Sequence, residues 1–164
     1  VGTNPLRCRD CSFSFFFNPT VAAGAFLFDA ADRALFIRRA NDPAKGSLAI
    51  PGGFIDVGET LESGLRREIE EEVGLAVAEL QYVCSDINDY IYDGVTYPVV
   101  DCIFTGRVTD PNAARSLDGV AGIEWCMLRD VREDDLAFAS IRAGRRALLR
   151  EQSGQHGHQG HRTA

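Results

Sequence analysis

One segment constrains this chain more than any other. Between the turn Pro51-Gly52-Gly53 and Gly74 it spells out a single amphipathic helix. Leu61, Leu65, Ile69 and Val73 recur at i, i+4, a stripe that drifts slowly around one helical face. Gly74 supplies the usual stop. With 100° per residue counted from Leu61, Glu68 falls at about 340°, Glu72 at about 20° and Glu71 at about 280°, so three carboxylates share one sector. Like charges at this spacing each destabilise an isolated helix by roughly 0.2–0.5 kcal/mol. The macrodipole disfavours anions in the last turns by roughly another 0.3–1 kcal/mol each. A solvated charge run is the ordinary explanation of Glu70-Glu71-Glu72, and Glu70, at about 180°, fits it. Glu68 and Glu72 do not, because they border the buried stripe. Such a conflict between local preference and sequence marks a functional site. A divalent cation would turn the repulsion into coordination, and clustered hard oxygens suit Mg²⁺ or Mn²⁺.

The flanking sequence says what covers this helix. Thr20 to Phe28 and Ala34 to Arg39 are short apolar runs joined through Asp29-Ala-Ala-Asp32, the pattern of a hairpin. Leu80 to Cys84, Val95 to Val108 and Ile123 to Leu128 read as further strands, with Asn88 to Gly94 as a loop. Phe138 to Arg150 reads as a second helix. This order predicts an α/β (α+β) sandwich in which helices cover a mixed sheet. Residues 1–19 form a lead-in, 20–150 one domain, and 151–164 a polar, Gly-rich tail expected to be disordered.

The balance of 17 Lys plus Arg against 24 Asp plus Glu gives a net charge of -7, the wrong sign for a general nucleic-acid binder. An anionic ligand would need a cation or a local group of Arg. No apolar run reaches membrane-spanning length and no secretory leader is evident, so a soluble, cytoplasmic protein is expected. The five cysteines are odd in number, and Cys84, Cys102 and Cys126 sit in apolar stretches, which argues against a disulfide framework. The chain opens on Val rather than Met, implying an unusual start codon or a lost beginning.

The segment from Gly53 to Leu75 resembles the Nudix box, G-x5-E-x7-R-E-U-x-E-E-x-G-U with U apolar, at every specified position: Gly53, Glu59, Arg67-Glu68-Ile69, Glu71-Glu72 and Gly74-Leu75. The seven specified identities would coincide by chance below roughly 10⁻⁸ per window. The wider likeness runs from about Asn18 to Leu149. The resemblance implies a Nudix-type α/β/α sandwich with a loop-helix-loop that binds Mg²⁺ or Mn²⁺. It also implies a hydrolase cleaving the diphosphate of a nucleoside diphosphate linked to another moiety. Glu68, Glu71 and Glu72 then look like metal ligands, with the Gly52 carbonyl contributing. Glu71, Glu59 and Arg67 look catalytic or supporting, an Arg67–Glu71 ion pair being one turn in length. The general base is open between Glu71 and an acid outside the box among Asp89, Asp93, Asp101 and Asp118.

Arg38, Arg39 and Lys45 are candidates to meet phosphate, and Phe54, Tyr90, Tyr92 or Tyr97 to stack on a base. The sequence lacks the SQPWPFPxS-type segment of enzymes acting on NADH, which leaves ADP-ribose-like or nucleotide-sugar substrates ahead. A (d)NTP or NADH pyrophosphatase, and a nucleotide-sensing regulatory module on the same fold, are the alternatives. Homodimerisation is an expectation by family analogy. Cys8-x-x-Cys11 resembles half of a zinc ribbon; zinc there needs four ligands and only two are present. His156, His158 and His161 are distant partners at best.

Overall fold

The computed structural model describes the backbone of residues 5–157 and side chains as far as residue 154. The strands and helices are, in order, β1 (Leu6–Arg7), β2 (Ser14–Phe15), β3 (Thr20–Phe28), β4 (Ala34–Arg39), β5 (Leu48–Ala49), β6 (Gly52–Phe54), α1 (Leu61–Val73), β7 (Leu80–Tyr92), β8 (Val95–Arg107), β9 (Val120–Cys126) and α2 (Ala139–Gly157), of which β1, β2, β5 and β6 are not expected from the sequence. β3 to β9 make one mixed seven-stranded sheet, and β1 and β2 pair separately.

β3 is the spine of the sheet. It is buried from Ala23 to Phe28, as a strand covered on both faces should be. Along its whole length it runs parallel to β8, from Thr20 opposite Val99 to Phe28 opposite Arg107. β3 and β4 do form the expected antiparallel hairpin, but they pair only at Phe28 and Ala34. Asp29 holds the turn: Oδ1 accepts the N–H groups of Ala31 and Arg33, each at 2.9 Å, and Oδ2 accepts from the Arg33 guanidinium. Beyond the turn the two strands part. The vacated edge of β3 is taken by β6, with Gly24 opposite Gly52 and Ala22 opposite Phe54. β4 pairs instead with β5 and β9.

The helices lie against opposite faces. A Cβ built on Gly144 of α2 would stand 2.8 Å from Ile103 of β8, so α2 sits close on the face carrying Ile103. On the other face Leu65, Ile69 and Val73 of α1 are fully buried in the same core. The local signals of α1 are met at both ends. Thr60 and Ser63 form a reciprocal capping box. Gly74 takes the left-handed conformation and returns its N–H to Glu70 O at 2.9 Å. The remaining orphan carbonyls, of Glu71, Glu72 and Val73, accept N–H groups from Asp118, Leu117 and Arg115 at 3.3, 3.0 and 3.0 Å. The loop after β8 thereby spreads the negative end of the helix dipole over new donors, and the acidic last turns become tolerable.

Three boundaries differ from the sequence expectation. Asn88 to Tyr92 belong to β7 and not to a loop; pairing with β8 continues to Tyr92 opposite Val95, and only Asp93-Gly94, both at positive φ, make the turn. Polar residues in this stretch suggested a loop because one face of the outermost strand meets solvent. β9 begins earlier than expected, at Val120, because β4 is long enough to pair back to Arg39. α2 runs past Arg150 to Gly157, helped by Ser153 Oγ donating to Leu149 O at 2.8 Å.

Candidate active site

Where β3 and β4 part, a cavity of about 320 Å³ passes beside the sheet edge. Its floor is the small-residue run Ala22-Ala23-Gly24 of β3. Gly53, Arg67, Glu68 and Glu72 line the α1 side, and Asn88, Tyr90, Asp101, Phe138 and Ser140 line the α2 side.

The α1 side depends on two glycines. Gly52 sits at φ +146°, and a Cβ there would lie 2.1 Å from Ala23 O, so no other residue fits the pairing with β3. A Cβ on Gly53 would stand 2.6 Å from the Glu68 carboxylate, so its absence makes the room that carboxylate occupies. Gly52 N–H donates to Glu72 Oε2 at 2.9 Å. Burial pushes the Glu72 carboxyl up to about 8, opposed by the Gly52 hydrogen bond and assisted by the charge of Glu68. Burial also raises Glu68, against the pull of Arg67.

Arg67 organises this side. Its Nε and Nη2 grip both oxygens of Glu59 at 2.8 and 2.9 Å, a bidentate pair. Nη1 donates to Glu68 at 2.7 Å and to Glu71 at 3.1 Å, and Nη2 also reaches Phe54 O at 3.1 Å. The hydrogen bonds from Arg67, and then from the Asp56 N–H, hold the Glu59 carboxyl down at about 2. The guanidinium's hydrogen bonds to Glu59 and then Glu68 hold it firmly charged. The expected Arg67–Glu71 contact is therefore one spoke of a larger hub.

The donor set decides whether a cation suits the place. Among the described residues no three Asp, Glu, His or Cys groups converge tightly as a coordination shell. Glu68 and Glu71 converge instead on Nη1 of Arg67. The oxygens are nevertheless all hard, and Glu68 and Glu72 are carboxyls that burial drives toward the protonated form. A nearby divalent cation reverses that drive. The residues fit Mg²⁺ or Mn²⁺, with Glu68, Glu72 and Gly52 lining the cavity. Glu71, expected as a third ligand, lies outside the cavity's lining, its side chain 52% exposed. Glu70 is exposed, as its angle on the helix predicted.

Of the candidates for substrate contact, the structure brings Arg39 and Phe54 to the cavity and leaves Arg38 and Lys45 outside its lining. The Arg38 guanidinium is bound by Glu124 and by Gly46 O. Arg39 donates to Pro43 O at 2.7 Å and lies over the Phe138 ring, 5.1 Å from its centre. Among the outlying acids, Asp101 lines the cavity, Asp118 lies near enough to Glu72 to raise it, and Asp93 occupies the β7–β8 turn. Sequence reasoning missed Asn88 and Ser140. Nothing in their immediate sequence signals a site, because each gains its neighbours only when β7, β8 and α2 meet.

A family model described as the NUDIX domain matches residues 18–151. Over 71 residues the chain is 41% identical to the ADP-ribose pyrophosphatase of Methanocaldococcus jannaschii, a match covering 43% of this chain and 41% of that one. Over 80 residues it is 32% identical to the NAD-capped RNA hydrolase NudC of Klebsiella pneumoniae, covering 49% of this chain and 30% of that one. These matches span less than half of either relative. Among solved structures, the NUDIX domain of Shewanella oneidensis NrtR complexed with ADP ribose superposes with a TM-score of 0.67 and 26% identity, over 82% of this chain and 90% of that one.

Proposed function

We propose that this chain, which belongs to the Nudix family, hydrolyses the diphosphate of an ADP-ribose-like or nucleotide-sugar substrate, with residues 20–150 as its catalytic domain. One observation carries the reading. A single cavity has Glu68, Glu72 and Gly52 at one side and a slot lined by Phe54, Tyr90 and Phe138 at the other, which suits a ligand with a diphosphate beside an aromatic ring. The relatives support the substrate class: one is named for ADP-ribose hydrolysis and another is solved with ADP ribose bound.

Mg²⁺ or Mn²⁺, when bound by Glu68, Glu72 and the Gly52 carbonyl with Glu71 alongside, supplies charge neutralisation and a more acidic water. The chain's own residues do the rest. Arg67 holds Glu68 and Glu71 in fixed orientation, and Glu59 locks Arg67, so both are positioning residues. Glu71, half exposed one turn from Arg67 and hydrogen-bonded by it at 3.1 Å, is assigned to accept a proton from an entering water. Arg39 offers positive charge between Glu72 and the aromatic slot.

The test is a turnover screen of ADP-ribose, NADH, nucleotide sugars, dinucleoside polyphosphates and oxidised dNTPs with Mg²⁺ or Mn²⁺. Release of AMP from ADP-ribose is the expected result. Tight binding of one compound with turnover of none would replace the hydrolase by a nucleotide sensor. NADH or (d)NTP as the best substrate would retain the hydrolase and change its substrate.

A further inference from the structure

We infer that Asp101, braced by Asn88 and Ser140, is the residue that selects the base, and that the α2 side of the cavity takes an adenine whose 6-amino group donates to the Asp101 carboxylate. This rests on the reading of the cavity as a nucleotide site and names its specificity-determining residue.

The sheet register sets the dimensions. Asp101, Ala22 and Phe54 stand side by side on β8, β3 and β6. Neighbouring strands lie about 4.8 Å apart, so the Cα atoms of Asp101 and Phe54 are roughly 9–10 Å apart across the Ala22 methyl, which leaves room for one flat ring. The row Ile103, Gly24 and Gly52 lies two residues further along the same strands. Asp101 is then roughly 12 Å from Gly52 along the diagonal, comparable to the span from a base edge to its 5′-phosphate. An amino edge at Asp101 thus leaves the phosphates beside Gly52 and Glu72.

The chemistry of the slot matches a base edge that carries an exocyclic amino group. Ser140, fully buried, donates its hydroxyl to Asp101 Oδ2, and the Asn88 amide donates to the same carboxylate. A carboxylate has about four acceptor positions, so two remain. Those free acceptor positions complement adenine, whose 6-amino group donates. Guanine and hypoxanthine carry a 6-oxo acceptor at that position, which the carboxylate repels. Phe54 and Tyr90 meet edge to face at 5.3 Å, and Tyr90 meets Phe138 at 6.0 Å, which supplies apolar walls for the ring.

The experiment is titration calorimetry of the full chain with Mg²⁺ and four probes: AMP, purine riboside 5′-monophosphate, which lacks only the amino group, IMP and GMP. AMP is expected to bind at least about tenfold tighter than each of the others, since an unpaired buried carboxylate penalises the wrong edge. Asp101→Ala should bring AMP and purine riboside monophosphate within about threefold of each other. Asp101→Asn, nearly isosteric, should lower the AMP-to-IMP ratio about tenfold, because its amide can donate to a 6-oxo group. In turnover of ADP-ribose the loss should fall on KM and spare kcat. Equal binding of AMP and purine riboside monophosphate, tighter binding of GMP, or an AMP-to-IMP ratio unchanged in Asp101→Asn overturns the assignment. An amino preference without turnover of any diphosphate keeps the assignment and discards the hydrolase; turnover without amino preference does the reverse.

Discussion

The α1 and α2 sides of the cavity are both polar and both partly buried, yet they are written into the chain in different ways. On the α1 side the functional atoms come from one stretch of 24 residues, Gly52 to Leu75, and a single guanidinium ties Glu59, Glu68 and Glu71 together. On the α2 side Asn88, Asp101 and Ser140 come from three elements, and their hydrogen bonds span as many as 39 positions. The first is a local device that helix periodicity exposes; the second exists only after the sheet forms. One carboxyl from each side responds to protons in the opposite sense to the other. Arg67 holds Glu59 low, whereas burial raises Asp101 above the ordinary carboxylate value.

The sharpest way to break the contrast is to remove a carboxylate from the α1 side. If loss of one ligand forfeits about 4 kcal/mol of the several that a bound metal supplies, Glu68→Gln or Glu72→Gln lowers kcat about a thousandfold. Thermal melts in chelator should show Glu72→Gln as stable as the parent or more so, since a neutral amide avoids the burial that raises the acid. A large loss of metal-free stability would show that the carboxylate is structural. Gly53→Ala should lower turnover about a hundredfold by displacing Glu68, with full retention of helical circular dichroism; unchanged turnover would mean that Glu68 has freedom the close contact denies it.

Stability separates two arginines. Arg67→Ala leaves several partly buried carboxylates without their cation and should cost about 2–3 kcal/mol in denaturant unfolding. Arg38→Ala breaks a half-exposed pair with Glu124 and should cost about 0–1 kcal/mol, leaving kcat as it was. Equal costs would erase the distinction between hub and surface pair.

The smallest effects come from pH. Glu59 is depressed to about 2 in the folded chain. Its stabilisation is therefore complete above the ordinary glutamate value near 4.3 and is lost as pH falls toward that depressed value. Asp101 is raised, so its contribution is present below the ordinary aspartate value near 3.9 and is lost as pH rises through the elevated one. Unfolding measured across acid pH should show Glu59→Gln with a shallower loss of stability on acidification. Asp101→Asn should gain relative to the parent as pH rises. The same sign for both variants would contradict the opposed environments.

Sequence alone determined α1, its glycine stop, the clustering of Glu68, Glu71 and Glu72, and the idle surface role of Glu70. Those follow from 100° per residue and from charge placed against the helix dipole, and both are local. It also determined the β3–β4 hairpin, because two short apolar runs and the turn residues between them are contiguous. Tertiary structure decided the remainder. That β3 and β4 part after one pair, leaving Arg39 at the cavity and Arg38 on Glu124, depends on β6 competing for the edge of β3. That Asn88 lies in a strand depends on β8 pairing it, and that Ser140 meets Asp101 depends on α2 lying close enough over β8 for only a glycine at 144. Period and charge read forward along the chain, whereas a site assembled from separate strands and a helix has no period to read.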